Sequence, residues 1–260
     1  MAVSLESLQH KKTPKPPRLL IYGVPKIGKT TLGANAPSPI ILQVEEGADE
    51  IDVTRTPKIN TFDEVLEWLL FLATEDHQFQ SVVIDSVDWL ETMIHDHVVI
   101  KNPTTEKGKK VSNIEDYGYG KGYALALSYW GDYINAINYL RDQKKMAIIQ
   151  IAHHRVEKFT APDSEPYDKH GIKMHKGASS LLQEHSDAIL FCTYRVGMKA
   201  DDVGFGQKKT RAIGSGERLV KTQDRPAYLA GNRYDGMPDE LPLDWNAIAQ
   251  YIPYYQNGGD

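Results

Sequence analysis

The chain has 260 residues, of which 41% are apolar and 25% are charged, and its net charge is −5. This composition supports a packed core and excludes a globally disordered chain, while the negative charge excludes a surface that is basic all over. No apolar run reaches the length of a transmembrane helix, and the single cysteine, Cys192, excludes an internal disulfide. We therefore expect a cytoplasmic protein without membrane contact, built from one large domain or two small ones.

Residues 1–17 form a polar, proline-rich lead-in without the apolar centre of a signal peptide. The apolar run at 19–22 then predicts a buried strand. Residues 23–30 match the pattern G-x-x-x-x-G-K-[ST], and the residues after them can open a helix. Because the motif stands between a strand and a helix, as a phosphate-binding loop requires, we favour that interpretation over a chance match in an ordinary turn.

The chemistry of this loop suits a nucleoside triphosphate. Glycines let the backbone turn sharply and direct its N–H groups at phosphate oxygens, and the following helix N-terminus adds positive potential. Lys29 is predicted to contact the β- and γ-phosphates, and the Thr30 hydroxyl to hold Mg²⁺. We therefore predict ATP and Mg²⁺ as cofactors. The predicted nucleotide-binding residues of the loop are Gly23, Val24, Pro25, Lys26, Ile27, Gly28, Lys29, Thr30 and Thr31.

Strands and helices alternate along the rest of the chain. Apolar runs predict strands at 39–44, 81–87, 146–152 and 187–196. Helical spacing predicts helices at 59–74, 88–100, 123–143 and 177–186. Polar segments predict two long loops, at 101–122 and 153–176. Segments with strand-like composition lie at 209–214, 217–222 and 226–231, and a last helix, capped by Asp244, is predicted at 244–252.

This alternation predicts an α/β fold, with a mainly parallel sheet flanked by helices and a β-rich C-terminal extension. We expect a lead-in at 1–17, an ATPase domain at 18–243, and a C-terminal helix and tail at 244–260. A boundary near 204–216 is the alternative, but we favour one domain. In such a sheet the functional groups gather at the carboxyl ends of the strands.

Polar residues follow three of the predicted strands. Asp85 ends the third strand and is predicted to hold Mg²⁺ through water, with a helix cap as the alternative role. Glu45 and Glu46 follow the second strand, which we expect next to the phosphate loop, and each is either a general base or a solvated loop acid. His153 and His154 end the fourth strand, where a neutral imidazole could sense the γ-phosphate; the alternative is two loop histidines without a role.

Two segments carry features of a DNA site. Tyr117, Tyr119 and Tyr123 alternate with glycine around Lys121, so their rings could stack on unpaired bases beside a phosphate contact. Packing of these tyrosines in a core or an interface is the alternative. Residues 205–233 hold seven Lys/Arg against two acidic residues, an excess that suits phosphates, a subunit interface or a solvated face alike.

The order of these motifs resembles the RecA recombinase core. It is most similar to the small phage-encoded RecA-like P-loop ATPases associated with single-strand annealing and recombination. The motifs that carry the resemblance are GVPKIGKTT, VEEG, VVIDSV, YGKGY, IAHHRVEKF and AGNRY, which span about residues 18–243. The phosphate loop is shared by many families, whereas the combination of IDSV, IAHH and a terminal NRY is more specific.

The resemblance implies a RecA-like P-loop NTPase core that hydrolyses ATP. Lys29, Thr30 and Asp85 would bind MgATP. Glu46 would activate the attacking water, so that Lys29, Glu46 and His153 form the catalytic set. His153 would report the γ-phosphate to the DNA-binding loops.

The resemblance also implies a DNA site and an assembly. Residues 114–122 would form the first DNA-facing loop and residues 155–176 the second. The implied DNA contacts are Tyr117, Tyr119, Lys121, Tyr123, Arg155 and Lys158. Arg233 would reach the nucleotide of a neighbouring subunit, in a homo-oligomer with its nucleotides near the subunit interfaces.

These features predict an ATPase that binds single-stranded DNA in recombination or strand annealing, in the cytoplasm of the host cell if it is phage-encoded. A single-strand DNA-binding protein would be a further partner. The second interpretation is an ATPase switch that acts on a protein partner without touching DNA, which the negative net charge favours. A small-molecule kinase ranks last, because no lid-like cluster of arginines occurs early in the chain.

Overall fold

The computed structural model describes residues 13–160, 165–202 and 208–256. The strands in these ranges are β1 (Arg18–Gly23), β2 (Pro39–Gln43), β3 (Ser81–Asp85), β4 (Ala147–Phe159), β5 (Tyr167–Ile172), β6 (Ala188–Asp202), β7 (Lys208–Lys221), β8 (Gly231–Asn232) and β9 (Glu240–Pro242). The helices are α1 (Lys29–Ala34), α2 (Phe62–Thr74), α3 (Val87–Lys101), α4 (Lys121–Gln143), α5 (Lys176–His185), α6 (Trp245–Ala249) and α7 (Pro253–Gln256), with a 3₁₀ helix at Ile114–Tyr117.

The strands form one sheet in the order β2-β3-β4-β1-β6-β7-β9, with β5 paired to β4 and β8 paired to β6. Neighbouring strands from β2 to β6 are parallel. The pairs that involve β5, β7, β8 and β9 are antiparallel. The predicted α/β fold, mainly parallel with a β-rich C-terminal part, is confirmed.

Helices cover both faces of the sheet. Along β1, Leu20 and Tyr22 belong to a core formed with α2, α3, α4 and α5, whereas Leu19 and Ile21 belong to a core formed with α1, α6 and α7. This follows from the alternation of side chains along a strand, since each parallel strand must bury both of its faces. Within the described ranges, none of the helices is long and apolar enough to cross a membrane.

One predicted loop is a β-hairpin. β4 does not end at the core but continues to Phe159 and pairs antiparallel with β5, so the prediction of a loop over 153–176 is wrong. Residues 155–159 are exposed on both faces of the hairpin, and the side chains of Arg155, Glu157 and Lys158 are polar. Such a strand lacks the apolar alternation that is typical of a half-buried strand, and it is held by the backbone ladder and by contacts of Phe159 with Tyr167 and Lys169.

The C-terminal β-structure also differs from the prediction. The segments predicted separately at 209–214 and 217–222 lie almost entirely in one strand, β7, which pairs with β6 across a register shift between Tyr194 and Val196. The segment predicted at 226–231 is mostly a turn, since Tyr228 and Arg225 bond each other's backbone and only Gly231 enters β8. Pro226 lacks the amide hydrogen that a ladder needs. The predicted domain division at 243 stays a prediction.

A charged cluster joins the amino ends of β1 and β6. The carboxylate of Asp187 accepts hydrogen bonds from the backbone and guanidinium of Arg18, at 2.9 and 2.8 Å, and from Arg141 at 3.3 Å. Arg233 adds a longer contact of 3.4 Å. Burial opposes ionisation of Asp187, but the hydrogen bonds and charges of Arg18 and Arg141 outweigh it, so the pKa of Asp187 lies below its ordinary value.

We expect Asp187→Asn to lower the free energy of unfolding by about 3 kcal/mol, because it leaves the half-buried Arg18 and Arg141 without their shared anion. Asp142→Asn is the matched control, since Asp142 pairs at 2.8 Å with the exposed Lys15 and is itself 37% exposed. Loss of an exposed pair costs less than about 1 kcal/mol. Denaturant unfolding at neutral pH measures both values, and equal losses would contradict a special role for Asp187.

The contribution of Asp187 to the free energy of unfolding depends on pH in a defined direction. A carboxylate whose pKa is lower in the folded state stabilises the fold above its unfolded pKa, which is about 3.9 for aspartate. That contribution is lost as the pH falls through the folded-state pKa. The stability difference between the wild-type protein and Asp187→Asn should therefore be full at neutral pH and shrink in this acid range.

Candidate functional site

The phosphate loop leaves the centre of the sheet. β1 lies between β4 and β6, and its last residue, Gly23, pairs with His153 on one side and Cys192 on the other. A Cβ atom at Gly23 would lie 2.1 Å from the carbonyl oxygen of Cys192, so only glycine fits there. Gly28 closes the loop with a φ of 107°, in the region that favours glycine. Both glycines of the motif are thus required by the backbone geometry.

Lys29 folds back over this loop. Its Nζ donates to the carbonyl oxygens of Gly23 and Val24, both at 3.2 Å, and the side chain is buried. Burial lowers the pKa of Lys29 below its ordinary value, although the charges of Asp85 and Glu45 counteract the effect. An ammonium group has three donor hydrogens, and no carboxylate in the described ranges forms an ion pair with it. The third N–H donor of the buried Lys29 ammonium group is therefore available to an anion.

Thr30 and Asp85 meet beside Lys29. The Thr30 hydroxyl donates to Oδ2 of Asp85 at 2.6 Å, across the end of β3. Burial raises the pKa of Asp85, while the hydrogen bond from Thr30 and the charge of Lys29 act in the opposite direction. A hydroxyl and a carboxylate are the hard oxygen donors that Mg²⁺ takes, and Lys29 offers the donor that a phosphate needs. The residues present therefore fit MgATP.

Arg218 adds a second positive charge to this loop. Its Nη1 lies 3.3 Å from the position that a Cβ atom of Gly28 would occupy, and Leu243 lies 3.5 Å from the same point. The backbone of Arg218 on β7 is tied to Leu243 by a hydrogen bond of 3.2 Å. The sequence placed Arg218 only in a general basic segment, because nothing in the local pattern shows that β7 passes the loop.

Glu45 lies in a cluster next to Thr30 and Asp85. Its Oε2 accepts a hydrogen bond of 3.0 Å from the Ser86 hydroxyl, and its Oε1 lies 3.7 Å from Nε2 of His153. The backbone amide of Glu45 donates to the carbonyl oxygen of Asp85 at 3.0 Å, which ties the end of β2 to the end of β3. Burial raises the pKa of Glu45, and the negative charge of Asp85 raises it further.

Glu46, the predicted base, points elsewhere. Its side chain is 76% exposed and accepts a hydrogen bond of 3.2 Å from Lys58. The expectation that β2 lies next to the phosphate-loop strand is also wrong, since β3 and β4 lie between β2 and β1. Glu45 nevertheless reaches the site, because residues beyond the end of β2 bond to Asp85. The role of Glu46 stays a prediction, and the geometry favours the alternative, Glu45.

His153 is held by a residue that the sequence did not single out. Asp88 accepts hydrogen bonds from the backbone amide of His153 at 3.0 Å and lies 3.0 Å from its ring Nδ1. The bond to Asp88 raises the pKa of His153 above its ordinary value, against the effect of burial, and the role of His153 as a γ-phosphate sensor stays a prediction. The ring of His154 lies 5.3 Å from that of His170 and is bonded to the backbone of Gly23.

The predicted DNA-binding tyrosines have different surroundings. The Tyr117 hydroxyl donates to the carbonyl oxygen of Asn102 at 2.6 Å, and its ring packs on the core. The Tyr123 ring stacks on His175, with centroids 3.9 Å apart. Tyr119 alone of the three is fully exposed. Packing, the alternative role, thus applies to Tyr117, while DNA contact stays a prediction for all three.

The predicted basic DNA contacts lie on the surface. Lys121 pairs with Glu106 at 3.0 Å, and Arg155 pairs with Glu157 at 2.9 Å. Lys158 is exposed on the hairpin. Part of the basic segment at 205–233 lies outside the residues whose side chains are described. The positive charges of Lys121 and Arg155 are therefore already partly compensated within the chain.

Arg233 lies far from the nucleotide site of its own chain. It contacts Asp187 and donates to the carbonyl oxygen of Glu184 at 3.0 Å, at the amino end of β6. The phosphate loop leaves the opposite end of β1, where Gly23 pairs with Cys192. Its predicted contact with the nucleotide of a neighbouring subunit stays a prediction.

A protein-family model described as an AAA domain matches residues 15–234, well over half of the chain. The chain belongs to the AAA domain family. The match includes the phosphate loop, Asp85, Glu45 and His153, and it identifies a nucleotide-binding P-loop ATPase-type domain, a class that uses ATP and Mg²⁺. A search of curated proteins found no match. The phage origin and the RecA-like annealing type stay predictions.

We expect Lys29→Ala to weaken MgATP binding by about 100-fold, because a hydrogen bond to a charged group contributes about 1.5–3 kcal/mol and each 1.4 kcal/mol is tenfold in affinity. The measurement is calorimetric titration. Lys145→Asn is the charge-matched control, since Lys145 is exposed, precedes the amino end of β4 away from the phosphate loop, and has a positive φ of 57° that suits asparagine. This control should change the affinity by no more than about twofold. Equal affinities for both variants would refute the assignment of Lys29.

Proposed function

We propose that the chain hydrolyses ATP at this site and uses the bound nucleotide to control binding of single-stranded DNA in recombination or strand annealing. One observation carries the hydrolytic part of the proposal. Next to the Lys29, Thr30 and Asp85 set stands a second set, Glu45 and His153, at the same edge of the sheet. The resemblance to RecA-like ATPases supports the DNA part.

In this proposal Glu45, rather than Glu46, orients and deprotonates the attacking water. A base needs a lone pair aimed into the site and a pKa shifted towards neutrality, and Glu45 has both. A cavity of about 450 Å³ lies in front of it, lined by Glu45, Glu46, Lys58, Trp89, His153 and Lys173. Bound Mg²⁺ would neutralise the charge that develops on the phosphates. Thr30 would hold the ion directly and Asp85 through water.

His153 supports a coupling between nucleotide and DNA. It is the last β4 residue that pairs with β1, and the next residue, His154, is the first that pairs with β5. A shift of His153 on loss of the γ-phosphate would therefore reach the β4–β5 hairpin directly. Arg155 and Lys158 lie on that hairpin and would carry the change to DNA.

A protein-binding ATPase switch is the second candidate, and one observation favours it. Several of the basic residues near the site are already paired with acids: Lys121 with Glu106, Arg155 with Glu157. Together with the net charge of −5, this pairing weakens the attraction of the surface for a polyanion. A protein partner would not require a basic surface.

We expect Glu45→Gln to lower the rate of ATP hydrolysis by about 100-fold or more, which is the usual contribution of a general base, and to leave MgATP affinity nearly unchanged. Glu46→Gln is the matched control, one residue away, and should hydrolyse ATP at the wild-type rate. Single-turnover hydrolysis together with nucleotide titration separates the two effects. Normal turnover in Glu45→Gln with loss in Glu46→Gln would restore the original assignment.

We expect single-stranded DNA to bind more tightly than duplex DNA, and more tightly with a non-hydrolysed ATP analogue than with ADP. Affinity should fall as salt rises, because phosphate contacts release counterions. Fluorescence anisotropy of a labelled oligonucleotide, at two salt concentrations and in each nucleotide state, measures these effects. Absence of binding in every state at low salt would refute the DNA proposal and favour the protein switch. Binding that ignores the nucleotide would refute the coupling through His153.

A further inference from the structure

A second cavity lies beside the one that contains Glu45 and His153. It has a volume of about 590 Å³, and the side chains of Trp89, His95, Tyr123 and His175 form its aromatic walls. Arg155 and Lys173 stand at its rim, and the two cavities share Trp89 and Lys173. We refer to this second cavity as the Trp89 cleft.

The aromatic walls are held in place before any ligand arrives. The rings of Tyr123 and His175 are parallel, with an interplanar angle of 1°, and His95 packs edge-on against Tyr123 at 5.4 Å. The backbone amide of His175 donates to both carboxylate oxygens of the buried Glu91, at 2.9 and 3.1 Å. These contacts span α3, α4 and the start of α5, so the walls are fixed by three separate elements.

Trp89 differs from the other tryptophans of the chain. Trp130 and Trp245 are buried in the two cores, and Trp68 packs edge-on against Phe71. The side chain of Trp89 is 48% exposed. An exposed indole at the mouth of a cavity offers a flat apolar face to a planar ligand, whereas burial or a neighbouring ring would have covered that face.

Two cations, Lys173 and Arg155, line the cleft, and its two carboxylates, on Asp88 and Glu91, are already bonded to His153 and to the backbone of His175. Lys173 is exposed, and no ion pair with it occurs in the described ranges. The backbone amide of Lys173 donates to the carbonyl oxygen of His153 at 2.9 Å, which fixes the backbone of Lys173 beside His153. Arg155 lies on the same side, two residues beyond His153 on the β4–β5 hairpin, where it pairs with Glu157 at 2.9 Å. A planar apolar surface with cations at its edge suits a base whose sugar carries phosphates.

We propose that the Trp89 cleft binds an unpaired base of single-stranded DNA, stacked on Trp89, with the flanking phosphates at Lys173 and Arg155. This inference deepens the proposed function and depends on the DNA-binding part of it. It assigns the principal stacking contact to a residue in α3, outside the tyrosine-rich segment at 117–123 that the sequence favoured.

The cavity around Tyr119 is the competing site. It is larger, at about 720 Å³, and it includes Lys107, Lys109 and Lys121. It shares no lining residue with the cavity of Glu45 and His153, whereas the Trp89 cleft shares two. A site that responds to the nucleotide needs a contiguous physical connection to it, so the nucleotide dependence of DNA binding favours the Trp89 cleft.

The test compares three variants of the full chain, Trp89→Ala, Trp89→Phe and Tyr119→Ala, with an oligo-dT strand and with an abasic strand of equal length. For oligo-dT we expect Trp89→Ala to lose about tenfold in affinity, since a stacked base contributes about 1–3 kcal/mol. Trp89→Phe should lose less, because a ring remains, and Tyr119→Ala should lose less than Trp89→Ala, because Trp89 provides the principal stacking contact. On the abasic strand, which keeps the phosphates, wild type and Trp89→Ala should bind equally.

Tryptophan fluorescence provides an independent measurement. Oligo-dT should quench the emission of the wild-type protein, and Trp89→Phe should lose that quenching while its thermal midpoint stays at the wild-type value. If the wild-type protein binds oligo-dT but Trp89→Ala binds it equally well, or the quenching persists in Trp89→Phe, the cleft assignment is refuted and DNA binding stands. If the wild-type protein binds no oligo-dT in any nucleotide state, both the cleft and the proposed DNA function are refuted.

Discussion

The site depends on the burial of charged groups at one edge of a parallel sheet. The carboxyl ends of β1 and β3 meet there beside His153 in the middle of β4, and the sheet is covered by helices on both faces, so water solvates these groups poorly. Buried charges persist only when they are compensated. Three carboxylates, on Glu45, Asp85 and Asp88, share this edge with two basic groups, on Lys29 and His153. When bound, magnesium would pair with the carboxylate side and the phosphates with Lys29, so buried groups of each sign would gain a partner of opposite charge.

The parts of the site that the sequence could predict are those set by local backbone geometry. The phosphate loop is recognisable because the carbonyl oxygen of Cys192 excludes a Cβ atom at Gly23, and because the sharp turn at Gly28 favours glycine. Asp85 is recognisable because a fully apolar run ends there in a carboxylate. At Gly28 and Asp85 the constraint lies within a few residues of the chain, whereas at Gly23 it comes from β6 but admits glycine alone, so all three positions can be recognised in the sequence.

The remaining residues depend on contacts between distant segments. Glu45 and Glu46 cannot be distinguished from sequence, because a shift of one residue reverses the face of a strand and the turn after β2 is not visible in the pattern. Asp88 matters only because α3 brings it to His153, and Arg218 only because β7 passes Gly28. The hairpin of β4 and β5 was missed for a different reason, since its exposed polar residues carry no periodic apolar signal.

The hairpin also changes how nucleotide and DNA would be coupled. The sequence suggested a long loop that the γ-phosphate orders, whereas β4 is a continuous strand that runs from the centre of the sheet into the hairpin. A ladder of backbone hydrogen bonds transmits a tilt or a shift as a unit, so coupling does not require a disordered state. His153 sits where β4 passes from β1 to β5, and Asp88 connects it to α3 and so to Trp89.

In this arrangement, two opposing effects would decide whether bound ATP strengthens or weakens DNA binding. ATP and DNA are both anionic, and the Trp89 cleft adjoins the cavity of Glu45 and His153 through Trp89 and Lys173, so direct Coulomb repulsion would oppose simultaneous binding. A conformational change transmitted through His153 and Asp88 can favour simultaneous binding of ATP and DNA. Salt weakens the Coulomb repulsion more than it weakens the conformational effect. The repulsion acts through solvent-exposed groups, whereas the hydrogen bonds of Asp88 are buried. We therefore expect the factor by which ATP tightens DNA binding to increase with salt concentration, even though the DNA affinity itself decreases.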